Sequence, residues 1–332
     1  MTRGLLARLR QPPWLQKAIR TGLAVAPGLS WWAAKGDVHG ISFAFAALCL
    51  SVPYGDAKAR PRHIAAMALL AAVLLPGTTW LEARPLACVP SVMAAMVVFV
   101  TLRRRTKIPG TLVNWLTIFL LYEASELSPH GIDATLVPSL LVFPAAGWMI
   151  LVCFVLWPGR GVSRTQAAKP SGVAMSVPRH VLCAVLAAGS AASVAFLLGS
   201  THVNWAIWSA ITVVQSGVQE SLVKSGRRIA GGILGCTAGY AALLVLHGLP
   251  WLLGAVTAVL TVLMVAPETY VLAVSFRSAL AILAATELYG DGAAAGLARI
   301  ENIAIGVVLA LAVILALSPG GVMRGRDAPR AA

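Results

Sequence analysis

Charged residues are scarce in this sequence. Only 11% of the 332 residues are Asp, Glu, Lys or Arg, whereas 58% are hydrophobic. A soluble domain is typically about a quarter charged, so the composition excludes an ordinary soluble protein and indicates a chain solvated by lipid. Acids are scarcest, with 12 Asp and Glu against 26 Lys and Arg. The net charge of +14 still does not predict nucleic-acid binding, because no soluble basic face accompanies it.

Metal-binding and enzyme motifs are also missing. The five cysteines lie within or beside apolar stretches, and their spacings match no zinc, haem or redox pattern. His39, His202 and His247 have no partner at metal-ligand spacing. The sequence has no Walker-type phosphate loop, no His-Glu-x-x-His and no Gly-x-Ser-x-Gly. We therefore expect no metal, no cofactor and no enzymatic activity.

Long apolar stretches are abundant. They have roughly the ~20 residues that a helix needs to cross a bilayer, and short polar breaks separate them. They are continuously apolar, unlike the alternating strands of a membrane β-barrel. The sequence predicts an all-α, polytopic membrane protein of about twelve transmembrane helices. The predicted spans are 20–34, 40–53, 63–79, 86–102, 110–127, 135–157, 180–198, 204–219, 228–247, 251–266, 269–288 and 297–317.

The basic residues predict the orientation of the chain. All but four of the 26 Lys and Arg fall in alternate breaks, which lie on one side of the membrane. Short cytoplasmic loops retain positive charge, so the pattern predicts a bacterial inner-membrane protein with both termini in the cytoplasm and its basic loops against anionic lipid. The exceptions are Lys35, Arg84 and Arg299, assigned to outer segments, and Arg277, which lies inside a span.

The second half of the sequence resembles a diverged copy of the first. Glu126-Leu127 recurs as Glu287-Leu288, and Pro158-Gly159 recurs as Pro319-Gly320, each 161 positions later. Each copy contains six predicted spans, an even number, so both copies enter the membrane in the same orientation as parallel repeats. The predicted organisation is a first six-helix repeat over 1–157, a cytoplasmic linker over 158–179, and a second six-helix repeat with a tail over 180–332.

Polar, aromatic and small residues concentrate between positions 204 and 239. The polar and aromatic ones are Asn204, Trp205, Trp208, Thr212 and Gln215. Arg228 then precedes three glycines at intervals of four, Gly231, Gly235 and Gly239. This spacing puts the glycines on one helix face, which is typical of two helix backbones in close contact in lipid.

The order of these residues resembles the fusaric acid resistance superfamily. The residues that carry the resemblance are Trp205, Thr212, Gln215 and Arg228-x-x-Gly231-x-x-x-Gly235. That superfamily includes bacterial exporters of aromatic carboxylic acids and is related to plant malate channels. The resemblance implies efflux of small aromatic or other organic acids, often together with a periplasmic adaptor protein. The sequence departs from the pattern where Ala65 and Ala66 replace expected glycines, and it lacks the large cytoplasmic domain that many members carry between their halves.

Charged residues inside the predicted spans are further candidates for a site. Glu123 lies in the fifth span and Arg277 in the eleventh, the corresponding span of the second repeat. A charge at the membrane centre costs ~2.5–3.5 kcal/mol, so each needs a partner, water or a solute path. One interpretation is a structural ion pair between the two. The other is that Arg277 attracts an organic anion while Glu123, with Glu126 one turn on, handles protons or repels the wrong ions. The energy is expected to come from a proton gradient. Glu287 repeats Glu126, and the alternative for both is a place at the outer water boundary.

The remaining candidates also have two interpretations. Trp205 and Trp208 share a helix face, either as interfacial anchors or as a stacking wall for aromatic substrates. Arg228 and its neighbour Arg227 are predicted as topology determinants at the inner mouth, or as substrate contacts. For the whole protein, the alternative to a transporter of small organic anions is an envelope accessory or assembly protein that transports nothing.

Overall fold

The structure, a computed structural model, describes residues 13–56, 61–82, 84–105, 116–120, 132–153, 175–214, 217–246, 248–267 and 269–318. Within these ranges the chain is helical apart from short turns, and no strand occurs among them. The predicted all-α class is therefore confirmed. Residues 116–120 are helical, and most of the predicted fifth span lies outside the described residues.

Eleven labelled helices lie in the described part of the chain. The first half contains α1 (Pro13–Lys35), α2 (Val38–Asp56), α3 (Pro61–Glu82), α4 (Pro85–Arg105) and α5 (Ile132–Leu151). The second half contains α6 (Val177–Leu197), α7 (Val203–Val213), α8 (Val218–Leu246), α9 (Pro250–Leu263), α10 (Tyr270–Tyr289) and α11 (Gly292–Ala316).

Two turns between helices are built from the same dipeptide, Gly-Asp. Gly36 (φ 66°) and Gly290 (φ 74°) adopt the left-handed conformation that ends a helix without a Cβ penalty. The following aspartates accept hydrogen bonds from the next segment: Asp37 from the His39 backbone N–H at 3.0 Å, and Asp291 from the N–H of Ala294 at 3.2 Å. The bond from His39 holds the pKa of Asp37 below its usual value. These turns keep α1 beside α2 and α10 beside α11.

The helices are those of a polytopic membrane protein. Five of them contain segments long and apolar enough to cross a bilayer by length and composition, namely Pro61–Leu81, Val177–Leu197, Val218–Leu246, Tyr270–Leu288 and Gly292–Ala316. Large apolar side chains also cover the outer surface. Leu86 is 96% exposed, Val245 75% and Leu297 73%, which water would penalise and lipid accommodates. The total of twelve spans stays a prediction.

The helix α7 differs from the span predicted over 204–219. It ends after 11 residues, at Val213, and Val214 has an extended backbone (φ −65°, ψ 109°) before α8 begins at Val218. Eleven residues rise about 16 Å, roughly half of the hydrocarbon layer. Nearly every residue of α7 is buried in protein. An interrupted helix is tolerated at membrane depth only where protein or water surrounds the free backbone groups, and α7 meets that condition.

The spaced glycines of α8 form a packing seam against α10. A Cβ added at Gly235 would contact the backbone of Ser275, and one at Gly239 would lie 2.9 Å from the Cα of Ala279. Gly231 meets α10 one turn earlier, where an added Cβ would lie 2.7 Å from the Val271 carbonyl oxygen. The seam predicted from the four-residue spacing is confirmed. It brings α10, which carries Arg277 and Glu287, close against α8, which carries Arg228.

Three helix pairs of the first half have counterparts in the second when the helices are matched in the order of the predicted spans. In the first half α1 packs on α2, α2 on α5, and α3 on α5. In the second half α6 packs on α7, α7 on α11, and α8 on α11. Between the halves, α4 contacts α6 and α1 contacts α9. The contact of α1 with α9 lies beside the cavity described next.

Candidate functional site

A cavity of about 200 Å³ lies between the two halves. Its wall is formed by α1, α2 and residue 118 from the first half, and by α7 to α11 from the second. The packing described above therefore positions it: the seam between α8 and α10 forms one side, and the first two helices close the other.

Among the described residues, the charges of the cavity wall all come from the second half of the chain. They are Arg228, Arg277, Glu287 and Arg299, on α8, α10 and α11. The first half contributes apolar side chains, Leu29, Trp32, Ile41, Ala44, Phe45, Leu48 and Ile118. The cavity wall is thus mostly apolar, and its three arginines and one glutamate lie on helices of the second half. Such a wall complements a solute that has an anionic group and an apolar body.

Arg228 is held by two neighbouring helices. It is 2% exposed. One terminal nitrogen donates to the Ser209 hydroxyl of α7 at 3.1 Å, and the other donates to the Tyr270 hydroxyl of α10 at 3.2 Å. The ammonium of Lys224, one turn earlier on α8, lies 5.2 Å from the centre of the Tyr270 ring. Arg228 therefore joins α7, α8 and α10. The guanidinium is buried in the protein, so the interpretation as a surface topology determinant fits Arg227, which is exposed, better than Arg228.

Trp205 and Trp208 are buried in protein at the cavity wall. Trp205 is 2% exposed and Trp208 is 6% exposed. The Trp205 ring stacks on His202, with centroids 4.1 Å apart and planes 8° from parallel. The Arg299 guanidinium lies 4.8 Å from the centre of the same indole. Interfacial anchors contact lipid headgroups, so this burial favours a wall of the cavity over an anchor for both tryptophans.

Arg277 and Glu287 lie at different depths on α10. Arg277 is half-buried, seven residues or about 11 Å along the helix from Tyr270. Glu287 lies near the C-terminal end of α10, and within the described residues its Oε1 is buried without a hydrogen-bond partner. Both line the cavity. Arg277 therefore meets the condition for a functional charge inside the membrane, since it faces an internal space rather than lipid.

The structure does not bring every predicted residue into this wall. Asn204 and Thr212 lie on α7 but are not among the lining residues, and the Thr212 hydroxyl donates to the Trp208 carbonyl at 2.9 Å. Glu123, Glu126 and Gln215 lie outside the described residues. The interpretation of Glu123 and Arg277 as an ion pair therefore stays a prediction.

Arg299 is a cavity residue that sequence reasoning missed. Its assignment to an outer segment placed it at the very beginning of a span predicted from about residue 297. The helix α11 begins at Gly292, so Arg299 lies two turns inside it and is 3% exposed. The sequence signal for the earlier start is Asp291 after Gly290, a helix cap directly following a helix stop.

The fold and the cavity together define a polytopic membrane protein whose two halves enclose a mostly apolar cavity with buried arginines in its wall. Residues 190–313 match the family model described as fusaric acid resistance protein-like. The resemblance predicted from the sequence is thereby confirmed over this region, and it indicates a membrane protein of the transporter type. The four charged residues that line the cavity in the described part of the chain all fall within the match. No curated protein and no solved structure matches the chain.

Proposed function

We propose that this protein exports small aromatic or other organic acids across a bacterial inner membrane, and that the cavity is their path. The lining of the cavity carries the proposal, because three arginines lie in a wall that is otherwise mostly apolar, and the described first-half residues of that wall are all apolar. A planar guanidinium offers paired donors to a carboxylate, and the apolar lining accepts the ring. Buried arginines inside a membrane protein are costly, so they mark a path for a charged solute.

The architecture proposed for this path is two parallel six-helix repeats with twelve spans. The recurrence of the same three helix pairs in both halves supports it. A binding site between repeats, next to an interrupted helix such as α7, is the common arrangement in secondary transporters. Residues 158–179 would form a cytoplasmic linker, both termini would lie in the cytoplasm, and a proton gradient would supply the energy. A periplasmic adaptor protein would receive the exported acid.

Transport by purified protein in liposomes tests this function. Benzenesulfonate and phthalate are suitable probes, because these aromatic anions do not leak through lipid as neutral acids. We expect the protein to accelerate the flux of at least one of them. Methanesulfonate has the charge without the ring, and it should move at least about tenfold more slowly than benzenesulfonate because it forgoes the apolar wall. Absence of any protein-dependent flux of organic anions, under any gradient, would contradict the proposal.

A further inference from the structure

The outer part of the cavity contains a buried donor for which no acceptor is described. Trp205 is 2% exposed and lines the cavity, yet its indole nitrogen is buried and has no hydrogen-bond partner among the described residues. A buried N–H is almost always paired, and each exception calls for a specific explanation. A ligand that carries acceptor oxygens into the cavity supplies one.

A cation stands over the same indole. The Arg299 guanidinium lies 4.8 Å from the ring centre, and Arg299 itself is 3% exposed and lines the cavity. His202 stacks on this ring at 4.1 Å and so fixes its plane. The indole donor and the guanidinium are therefore held together in one preorganised unit, and both belong to residues of the cavity wall.

This unit lies at a different depth from Arg277. Arg277 precedes the outer end of α10 at Tyr289 by twelve residues, and Arg299 follows the outer end of α11 at Gly292 by seven. The two helices are antiparallel neighbours joined at Gly290-Asp291. At 1.5 Å per residue, the two arginines differ in depth by about 8 Å. This offset of the two backbone positions favours two successive positions for an acid group over a single shared one.

We propose that Trp205 and Arg299 form an outer anion-binding position, in which the acid group of an organic anion accepts hydrogen bonds from the indole N–H and the guanidinium. This inference rests on the proposed function, and it adds a second position to the one at Arg277. An exported anion would occupy the Arg277 position first and the outer position next. Two positions that each bind the anion weakly allow it to enter the cavity favourably and still be released.

The substitution Trp205→Phe tests the outer position with the smallest change. Phenylalanine keeps an aromatic ring for His202 and Arg299 and removes the N–H donor. We expect the dissociation constant for benzenesulfonate, measured by calorimetry on the full chain in lipid nanodiscs, to rise about tenfold, the effect of one charge-assisted hydrogen bond. Trp251→Phe is the matched control, because Trp251 is 73% exposed and is not a lining residue. It should leave the dissociation constant unchanged.

The conservative variant Arg299→Lys separates binding from packing. Lysine keeps the charge and loses the planar fork, so the affinity should fall less than in Arg299→Gln while both variants unfold at similar temperatures. The outer position is refuted if the wild-type protein binds benzenesulfonate and both variants, Trp205→Phe and Arg299→Gln, bind it equally tightly. The indole N–H would then have no part in binding the anion. If the wild type neither binds nor transports an organic anion, the proposed function itself fails and this inference with it.

The side of the membrane from which benzenesulfonate is offered provides a second test, because a purely structural effect of a substitution would be the same from both sides. In membrane vesicles of each orientation, Arg299→Gln should raise the half-saturating concentration of benzenesulfonate mainly when it is offered from the side of the turn at 290–291. Arg277→Gln should do so mainly from the opposite side. Equal effects of each variant from both sides would indicate one position shared by the two arginines, and would overturn the proposal.

Discussion

Replacing Arg277 with alanine should abolish the flux of benzenesulfonate while the protein remains in the membrane at normal abundance. The guanidinium faces the cavity between the halves, where the surrounding protein has a low dielectric constant and a lost charge contact is expensive. Removing one partner of a buried, hydrogen-bonded charge pair costs about 2–5 kcal/mol, which predicts a loss of roughly 30-fold or more in transport. Flux into liposomes, normalised to the amount of protein reconstituted, measures this effect.

Two further variants define what the loss means. Arg277→Lys keeps the positive charge and should retain part of the flux, because lysine provides a point charge without the paired planar donors. Arg227→Ala removes a cation that is exposed on α8 and does not line the cavity, and it should transport like the wild type. Disappearance of the Arg277→Ala protein from the membrane would instead favour the structural ion pair and weaken the case for a path.

The substitution Gly235→Ala should have the largest effect on stability. The added Cβ would meet the backbone of Ser275 on α10, which cannot move aside as a flexible side chain can. Forcing α8 and α10 apart would open the seam along its whole length, since the backbones touch at three successive turns. Overpacking typically costs about 1–3 kcal/mol and more where backbone is involved, so we expect a lower unfolding temperature in detergent and a lower abundance in the membrane.

Gly226→Ala is the matched control on the same helix. An added Cβ at Gly226 has nothing within 4 Å, and alanine is favoured over glycine in a helix interior by about 1 kcal/mol. This variant should unfold at the same temperature as the wild type or slightly above it. Equal destabilisation by the two substitutions would show that the loss of glycine itself is harmful, and would remove the close contact with α10 as the cause.

Features that depend on helix period and composition could be predicted from the sequence. The glycine seam follows from a spacing of four, because every such residue falls on one face of a helix whatever the partner is. The all-α membrane class follows from the apolar stretches alone. The predicted span at 269–288 agrees with α10 (Tyr270–Tyr289), since Gly290 gives a clear stop signal at its end.

Features that depend on backbone breaks and tertiary packing could not be predicted in this way. The helix α7 ends at Val213, but Val213 and Val214 continue the apolar character of the sequence across the break. Hydropathy therefore predicts one continuous span over 204–219, although the helix stops at Val213. The apolar lining of the cavity is a second case. Trp32 and Phe45 reach the cavity only because α1 and α2 lie across from α10, and no local pattern encodes that contact.

Arg299 shows how a small error in a helix boundary affects a site. A predicted start near residue 297 places the side chain at the boundary between the outer segment and the span, where a basic residue needs no explanation. A start at Gly292 places it two turns inside α11, buried beside Trp205. Of the three arginines in the cavity wall, Arg277 and Arg228 were therefore named as candidate site residues from the sequence, and Arg299 was missed.

The most direct test of an anion path through the cavity is the reactivity of a cysteine placed at Ala284. Ala284 lines the cavity on α10, between Arg277 and Glu287. In a background without the five native cysteines, an anionic methanethiosulfonate should modify Ala284→Cys, and benzenesulfonate should slow the reaction. A cysteine at Val308, which is 60% exposed and does not line the cavity, should react much more slowly and without protection. If Ala284→Cys reacts no faster than Val308→Cys, or benzenesulfonate gives no protection, no organic anion occupies the cavity.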